Sequence, residues 1–430
     1  MAEHRKKGLF RALRNRNYRL FFAGQGISLI GTWMQNVAMS WLVYRLTGSV
    51  FLLGFVSFLG QIPAFFLAPV AGAIADRTDR RLMMVCIQSL YMIWAFAIAT
   101  MVLTETITVQ YLMLLSLFGG VLNAFDMPTR QSFVISMIED KADLINAIAL
   151  NSSMFNGARL VGPAIAGMLI AFLGEGMCFL INGFSYIGVI VALFVMNVPS
   201  LPLETKEHHM LTEIREGFSY TFSIRPIRAI ILLLSLISLT GSSYMVLMPV
   251  FATKVLHGGP WTLGFLVSSA GFGALCGALL LASRRSVLGL GWIISIASGA
   301  FAIGLMAFSQ SGLLICSIPA LFIVGMGMMV YIGSGNTLIQ TIVDEEKRGR
   351  VMSVFTVALM GLEPVGCVIA GGVAAHLGVQ STVLMMGFIS LAGALVFLQR
   401  LPALGESLRP SYLRRAFSRI RPIRIKEQEC

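Results

Sequence analysis

Along most of its length the chain reads as runs of about 20 apolar residues separated by short polar stretches, with no alternation of period two. Twenty residues rising about 1.5 Å each give roughly 30 Å, the thickness of a bilayer's hydrocarbon core. The runs predict about twelve membrane-crossing helices, at 18–44, 49–74, 82–103, 108–137, 146–173, 176–198, 227–253, 260–282, 287–308, 312–342, 351–377 and 380–400. A closed barrel, the other way to satisfy backbone polar groups in lipid, needs strands that alternate. The expected fold is therefore all-α and integral to the membrane.

The pattern also repeats. Shifting the chain by 204 residues lays the fifth run on the eleventh without gaps: Asp140 on Asp344, Gly157 on Gly361, Gly162 on Gly366, Ala166 on Ala370 and Gly167 on Gly371. The same shift lays Arg80 and Arg81 on Arg284 and Arg285. This predicts a basic tail at 1–17, a six-helix bundle at 18–198, a linker at 199–226, a second six-helix bundle at 227–402 and a basic tail at 403–430. In the linker, Leu211, Ile214, Phe218 and Phe222 recur at helical spacing, which fits either an amphipathic helix on the membrane surface or a plain strut between the bundles.

Composition fits this picture: 57% of residues are hydrophobic and 12% charged, about half the charged fraction of a soluble protein. A net charge of +12 alone would suggest nucleic acid, but its distribution argues against that. Of 32 Lys and Arg residues, 28 fall in segments that share one side if the helices alternate; the exceptions are Arg45, Lys254, Arg130 and Arg159. That is the positive-inside pattern, with both termini cytoplasmic. The first run is too long, and lacks the small-residue site, for a removable signal peptide.

The six cysteines have neither metal-ligand spacing nor an obvious disulfide pairing, and His208 and His209 sit together in a polar loop, so no metal is expected. The sequence contains no HExxH, no nucleophile elbow, no Gly-Lys-Ser/Thr phosphate loop and no catalytic carboxylate pair with a histidine. Neither an enzyme nor an ATP-driven pump is expected, and two equivalent halves suit alternating access better than a channel.

Asp126, Arg130, Arg159 and Glu363 are the charges well inside the runs, and they sum to zero. Asp126, Arg159 and Glu363 each lie about 12 residues from the cytoplasmic end of their helix, roughly 18–20 Å deep. Arg130 shares a face with Asp126 at i+4. Arg159 and Glu363 are equivalent under the 204-residue shift. Two roles are open for these charges: holding helices together, with Asp126 neutralising Arg159 or Arg130, or titrating a coupling proton, for which Glu363 is the better candidate. Pro128 removes the usual donor for the Ala124 carbonyl beside Asp126. Gln25, Gln35, Asn36, Gln61, Asn151, Asn156, Tyr244, Asn336 and Gln340 are candidates to line a substrate cavity. Small residues at every fourth position mark close helix contacts: Ala64, Ala68 and Gly72; Ala158, Gly162 and Ala166; Ala270, Ala274 and Ala278; Gly366, Ala370 and Ala374.

Between the second and third runs the sequence GAIADRTDRR resembles the signature loop of the major facilitator superfamily at Gly72, Asp76, Arg77, Arg80 and Arg81, and departs from it at Asp79, where the superfamily has glycine. With the repeat, the resemblance covers about residues 15–402. NAFDMPTRQSFV and INAIALNSSMFNGARLVGPAIAG look like the bacterial efflux branch that contains the enterobactin exporter. Gly157, Gly162, Pro163 and Gly167 partly match the fifth-helix packing motif of antiporters.

The resemblance implies a monomeric, multi-pass carrier of the bacterial inner membrane, driven by the proton-motive force and without a cofactor, that exports small siderophore-like or drug-like amphipathic molecules. Uptake or lysophospholipid flipping is the alternative. It also implies that Asp76 meets the start of the eleventh helix and closes the cytoplasmic gate when the carrier faces outward.

Overall fold

In a computed structural model, residues 10–138, 141–197, 210–284 and 286–406 are described, and every regular element among them is helical. The tails before residue 10 and after residue 406, and the linker up to residue 209, lie outside the described residues.

Twelve long helical segments follow one another: span one Arg16–Thr47, two Val50–Arg77, three Arg80–Leu103, four Val109–Ser136, five Lys141–Leu173, six Glu175–Val195, seven Arg225–Val255, eight Pro260–Ala282, nine Leu290–Ser309, ten Leu314–Ile342, eleven Glu345–Leu377 and twelve Val379–Glu406. Eleven of them are long and apolar enough to cross a membrane. Span one is long enough but less apolar, because it carries Gln25, Gln35 and Asn36. Two of these, Gln25 and Gln35, are buried within the protein. The outer surface is apolar: Phe172 is 75% and Ile315 77% exposed, an arrangement suited to lipid chains and not to water.

Local chemistry sets the helix ends. Asn15, Ser49, Asp79 and Thr108 each accept a backbone N–H from the first turn of spans one to four, satisfying donors that a helix start leaves over. Asp79, the departure from the superfamily pattern, thus caps span three, accepting from the amides of Arg81 at 2.8 Å and Leu82 at 3.0 Å. Gly48 ends span one with φ at +60°, where a side chain would be strained.

Spans one to six pack mainly among themselves, two on four, three on six, and one on five and six; spans eight, nine, ten and twelve pack together with seven and eleven. The main contacts between the two sets are span five on span eight and span two on span eleven. The helix Met210–Ser223 lies against the start of span eleven.

Two spans expected to be continuous are broken. Span seven leaves the α-helix at Gly241, passes through a 3-10 turn at Ser242–Leu247 and ends in a π turn at Phe251–Val255. Span eleven opens into a π turn at Val357–Gly361, and the α-helix restarts at Glu363. Pro364, second in that new helix, has no N–H to continue the ladder. Ser238 of span seven compensates by donating its hydroxyl to the Leu359 carbonyl at 2.6 Å. Span four, in contrast, runs on through Pro128.

Candidate transport site

The contact between the halves is built on glycines. A Cβ on Gly54 would run into the Cys367 carbonyl oxygen, and one on Gly371 would lie 2.9 Å from that of Val50, so spans two and eleven touch backbone to backbone. Spans five and eight do the same: a Cβ on Gly167 would lie 2.9 Å from the Pro260 oxygen, and one on Gly264 2.8 Å from the Pro163 oxygen. Deeper in, a Cβ on Gly271 would lie 2.7 Å from the Arg159 carbonyl oxygen.

The face of span five that meets span eight is therefore 159–163–167, one residue on from the expected 158–162–166 ridge. One residue turns a helix by about 100°, enough to change which neighbour is met. Gly162 packs inside its own half, against Trp33 and the Ile30 carbonyl of span one. Ala270 likewise turns into its own half, its carbonyl facing Gly325 of span ten, and Gly366 faces Leu239 and Ser243 of span seven. Gly157 has open space where a side chain would be.

The intramembrane charges fall into two groups. In the first, Asp126 pairs with Arg130 at 2.5 Å, and Gln88 of span three donates to its other oxygen at 3.1 Å. Of the two partners weighed from the sequence, Asp126 takes Arg130. This pair joins a polar seam inside the first half. Tyr91 stacks on Tyr186 with ring centroids 5.6 Å apart, and Asn182 donates to Tyr186 and, at 2.6 Å, to Gln35.

The second group lies where the halves meet. The Arg159 guanidinium sits 5.5 Å over the Trp33 ring, one of its Nη atoms is 3.9 Å from the Met328 sulfur of span ten, and its Nε is buried with no hydrogen-bond acceptor. Glu363, half-buried, opens the second half of span eleven, where the helix dipole favours an anion. Arg159 acts electrostatically on the Glu363 carboxyl, yet among the described residues neither belongs to an ion pair within 4.0 Å. Tyr244, in the break of span seven, feels both charges and is buried with its hydroxyl unpaired. Broken helices that bring polar groups to the midplane are the recurrent construction of carrier binding sites.

The other candidate residues scatter. Gln25 is buried with an unpaired carbonyl oxygen, and Asn156 is buried and donates to the Ser152 carbonyl of its own helix at 2.9 Å. Gln340 donates to Asn336 at 2.8 Å, Asn36 is exposed, and Gln61 and Asn151 are half-buried. Trp33, Gln88, Tyr91, Asn182, Tyr186 and Met328 belong to these clusters but were not singled out from the sequence: Gln88 and Asn182 differ in no local pattern from the other polar residues of the spans, and the aromatic and sulfur contacts are made between helices.

In the signature loop, Arg81 donates to the carbonyls of Leu193 at 2.7 Å and Phe194 at 2.9 Å, closing the end of span six. Arg77 is exposed and Arg80 half-buried; the Asp76 side chain lies outside the described residues. A Cβ on Gly72 would meet nothing within 4 Å. Among the described residues, no three His, Cys, Asp or Glu side chains gather as a metal-ligand set.

The chain is 25% identical over 390 residues to the staphyloferrin A transporter of Staphylococcus aureus, covering 88% of this chain and 95% of that one. It is 26% identical over 411 residues to the multidrug efflux pump Tap of Mycolicibacterium fortuitum, covering 90% and 95%. Its fold matches the crystal structure of a bacterial homologue of the human lysosomal transporter Spinster, inward-facing and occupied, with a TM-score of 0.72 at 12% identity over 93% of this chain and 98% of that one. The sequence profile described as transmembrane secretion effector matches residues 7–416, and the chain belongs to that family of transporters within the major facilitator superfamily.

Proposed function

We propose that the protein is a secondary exporter of the bacterial inner membrane that moves small amphipathic molecules, siderophore-like or drug-like, outward in exchange for protons. The two transporters it resembles along nearly their whole lengths support this substrate range.

The observation that carries the reading is the broken span eleven. A new helix starts there at Glu363, within electrostatic reach of Arg159, in a molecule whose halves meet chiefly through two glycine-lined helix pairs. Tight, smooth contacts of this kind let one six-helix bundle rock against the other around a fixed centre. Glu363 takes the coupling proton, and Arg159 sets the balance between its two protonation states. The glycine contacts close the end of the molecule away from the termini. Asp76, Arg77, Arg80 and Arg81 act as the gate on that side. The carrier works as a monomer, with both termini cytoplasmic.

The test is transport of a fluorescent probe such as ethidium into proteoliposomes under an imposed pH gradient. The wild type concentrates the probe. Glu363→Gln loses gradient-driven accumulation but still exchanges the probe at saturating concentration; undiminished pH-driven accumulation in that variant rules out Glu363 as the coupling group.

A further inference from the structure

The two charge groups differ in one respect. Asp126 is satisfied by Arg130 and Gln88. Arg159 acts electrostatically on Glu363, but among the described residues neither belongs to an ion pair within 4.0 Å and Glu363 makes no hydrogen bond. The Arg159 Nε is buried without an acceptor, a state that costs stability unless something fills it. What holds Arg159 in place is apolar: the Trp33 face on one side, the Met328 sulfur on another, and Phe155 set edge-on to Trp33 with centroids 5.6 Å apart.

Such a site presents a cation and a carboxylate that, among the described residues, belong to no ion pair, with an aromatic wall beside the cation. A ligand with a single charge would satisfy one of the pair and leave the other exposed in a low-dielectric setting. A ligand with charges of both signs satisfies both. The geometry points to a zwitterionic substrate head, a carboxylate received by Arg159 and an ammonium received by Glu363, on an apolar body that lies against Trp33 and Phe155. This rests on the reading of the Arg159–Glu363 cluster as the central site. It fits proton exchange as well, because the ammonium and a proton become alternative occupants of the same carboxylate.

Three probes with one fluorescent body separate the possibilities: Nε-dansyl-lysine, a zwitterion; its methyl ester, a cation; and its Nα-acetyl form, an anion. Binding to the purified full-length protein is read by energy transfer from tryptophan to the dansyl group. The zwitterion should bind about tenfold more tightly than either singly charged form, the worth of one charge-assisted contact. Arg159→Gln should erase its advantage over the ester, and Glu363→Gln its advantage over the acetyl form, with folding of each variant checked by thermal unfolding. Arg159→Lys, which keeps the charge, should retain part of the preference.

Equal binding of all three probes, tightest binding of either singly charged form, no binding of any, or a preference that survives both substitutions would each overturn the proposal. Zwitterion binding without any pH-driven movement in vesicles would instead leave the site standing and remove the exporter reading.

Discussion

Arg159 and Glu363 occupy equivalent positions in the two halves, 204 residues apart, and interact electrostatically while, among the described residues, neither belongs to an ion pair within 4.0 Å. Arg159 is the charge that bears on the Glu363 carboxyl. Removing one should therefore cost more than removing both. Arg159→Met alone and Glu363→Gln alone should each lower the thermal unfolding midpoint in detergent micelles, and the double variant should recover much of the loss. The coupling should be about 1–3 kcal/mol, in the range for residues that interact directly. Strict additivity would show that the two do not sense each other in the folded protein.

Asp126 and Arg130 form the satisfied pair, buried within one half among Gln88, Tyr91 and Tyr186. Asp126→Asn keeps the shape but leaves the Arg130 charge without its counterion, a change worth about 3–5 kcal/mol where the site is buried. The variant should express poorly and unfold earlier. A second change, Arg130→Met, should restore stability. The rescue separates a structural pair from a titrating one: if Asp126→Asn leaves the unfolding midpoint unchanged but abolishes coupling, Asp126 is the proton site.

The membrane-crossing helices and the four intramembrane charges were legible because each is a strong local signal, apolar length in one case and cost of burial in the other. The contact face of span five was not. Residues 157 to 167 place small side chains on adjacent stripes, and nothing in spacing alone says which stripe meets span eight; the backbone contacts of Gly167 and Gly271 decide it. The break before Glu363 was not read from the sequence, although Pro364 is the residue that interrupts the ladder there. Its consequence, a carboxylate at a helix start, depends on the Ser238 hydroxyl arriving from span seven to satisfy Leu359. That partner is 121 residues away in sequence and invisible to any local pattern.

The glycine contacts give a prediction about conformation. At Gly167 and Gly371 a Cβ would lie 2.9 Å from a carbonyl oxygen of the opposite half, tighter than real contacts allow. Gly167→Leu or Gly371→Leu should therefore pry apart the end of the molecule away from the termini and shift the population toward the state open on that side, by no more than the contact is worth. Labelling of single cysteines placed near Gly54 and Gly264 should rise in these variants. Gly162→Leu, which clashes with Trp33 inside one half, should lower stability without that rise.

The last prediction concerns the linker helix Met210–Ser223, which is clasped to the start of span eleven. Glu216 pairs with Arg350, Tyr220 donates its hydroxyl to Asp344 at 2.9 Å, and the Lys347 ammonium lies 4.4 Å over the Tyr220 ring. Burial and the bond to Asp344 raise the Tyr220 phenol above its ordinary pKa of 10.0. A phenol whose pKa is raised on folding contributes fully below its unfolded value, and the contribution is lost as pH rises through the folded value. The hydroxyl thus remains a donor throughout the physiological range, and the clasp should weaken only above pH 10.0. Hydrogen exchange of residues 210–223, corrected for the intrinsic chemical rate, should be unchanged between neutral pH and about pH 9. Tyr220→Phe should speed it severalfold at every pH in that interval. Glu216→Gln should have a smaller effect, since exposed ion pairs are worth about 0–1 kcal/mol, and that effect should fade as salt is added. Exchange that accelerates steadily from neutral pH in the wild type would mean that a different group holds the helix.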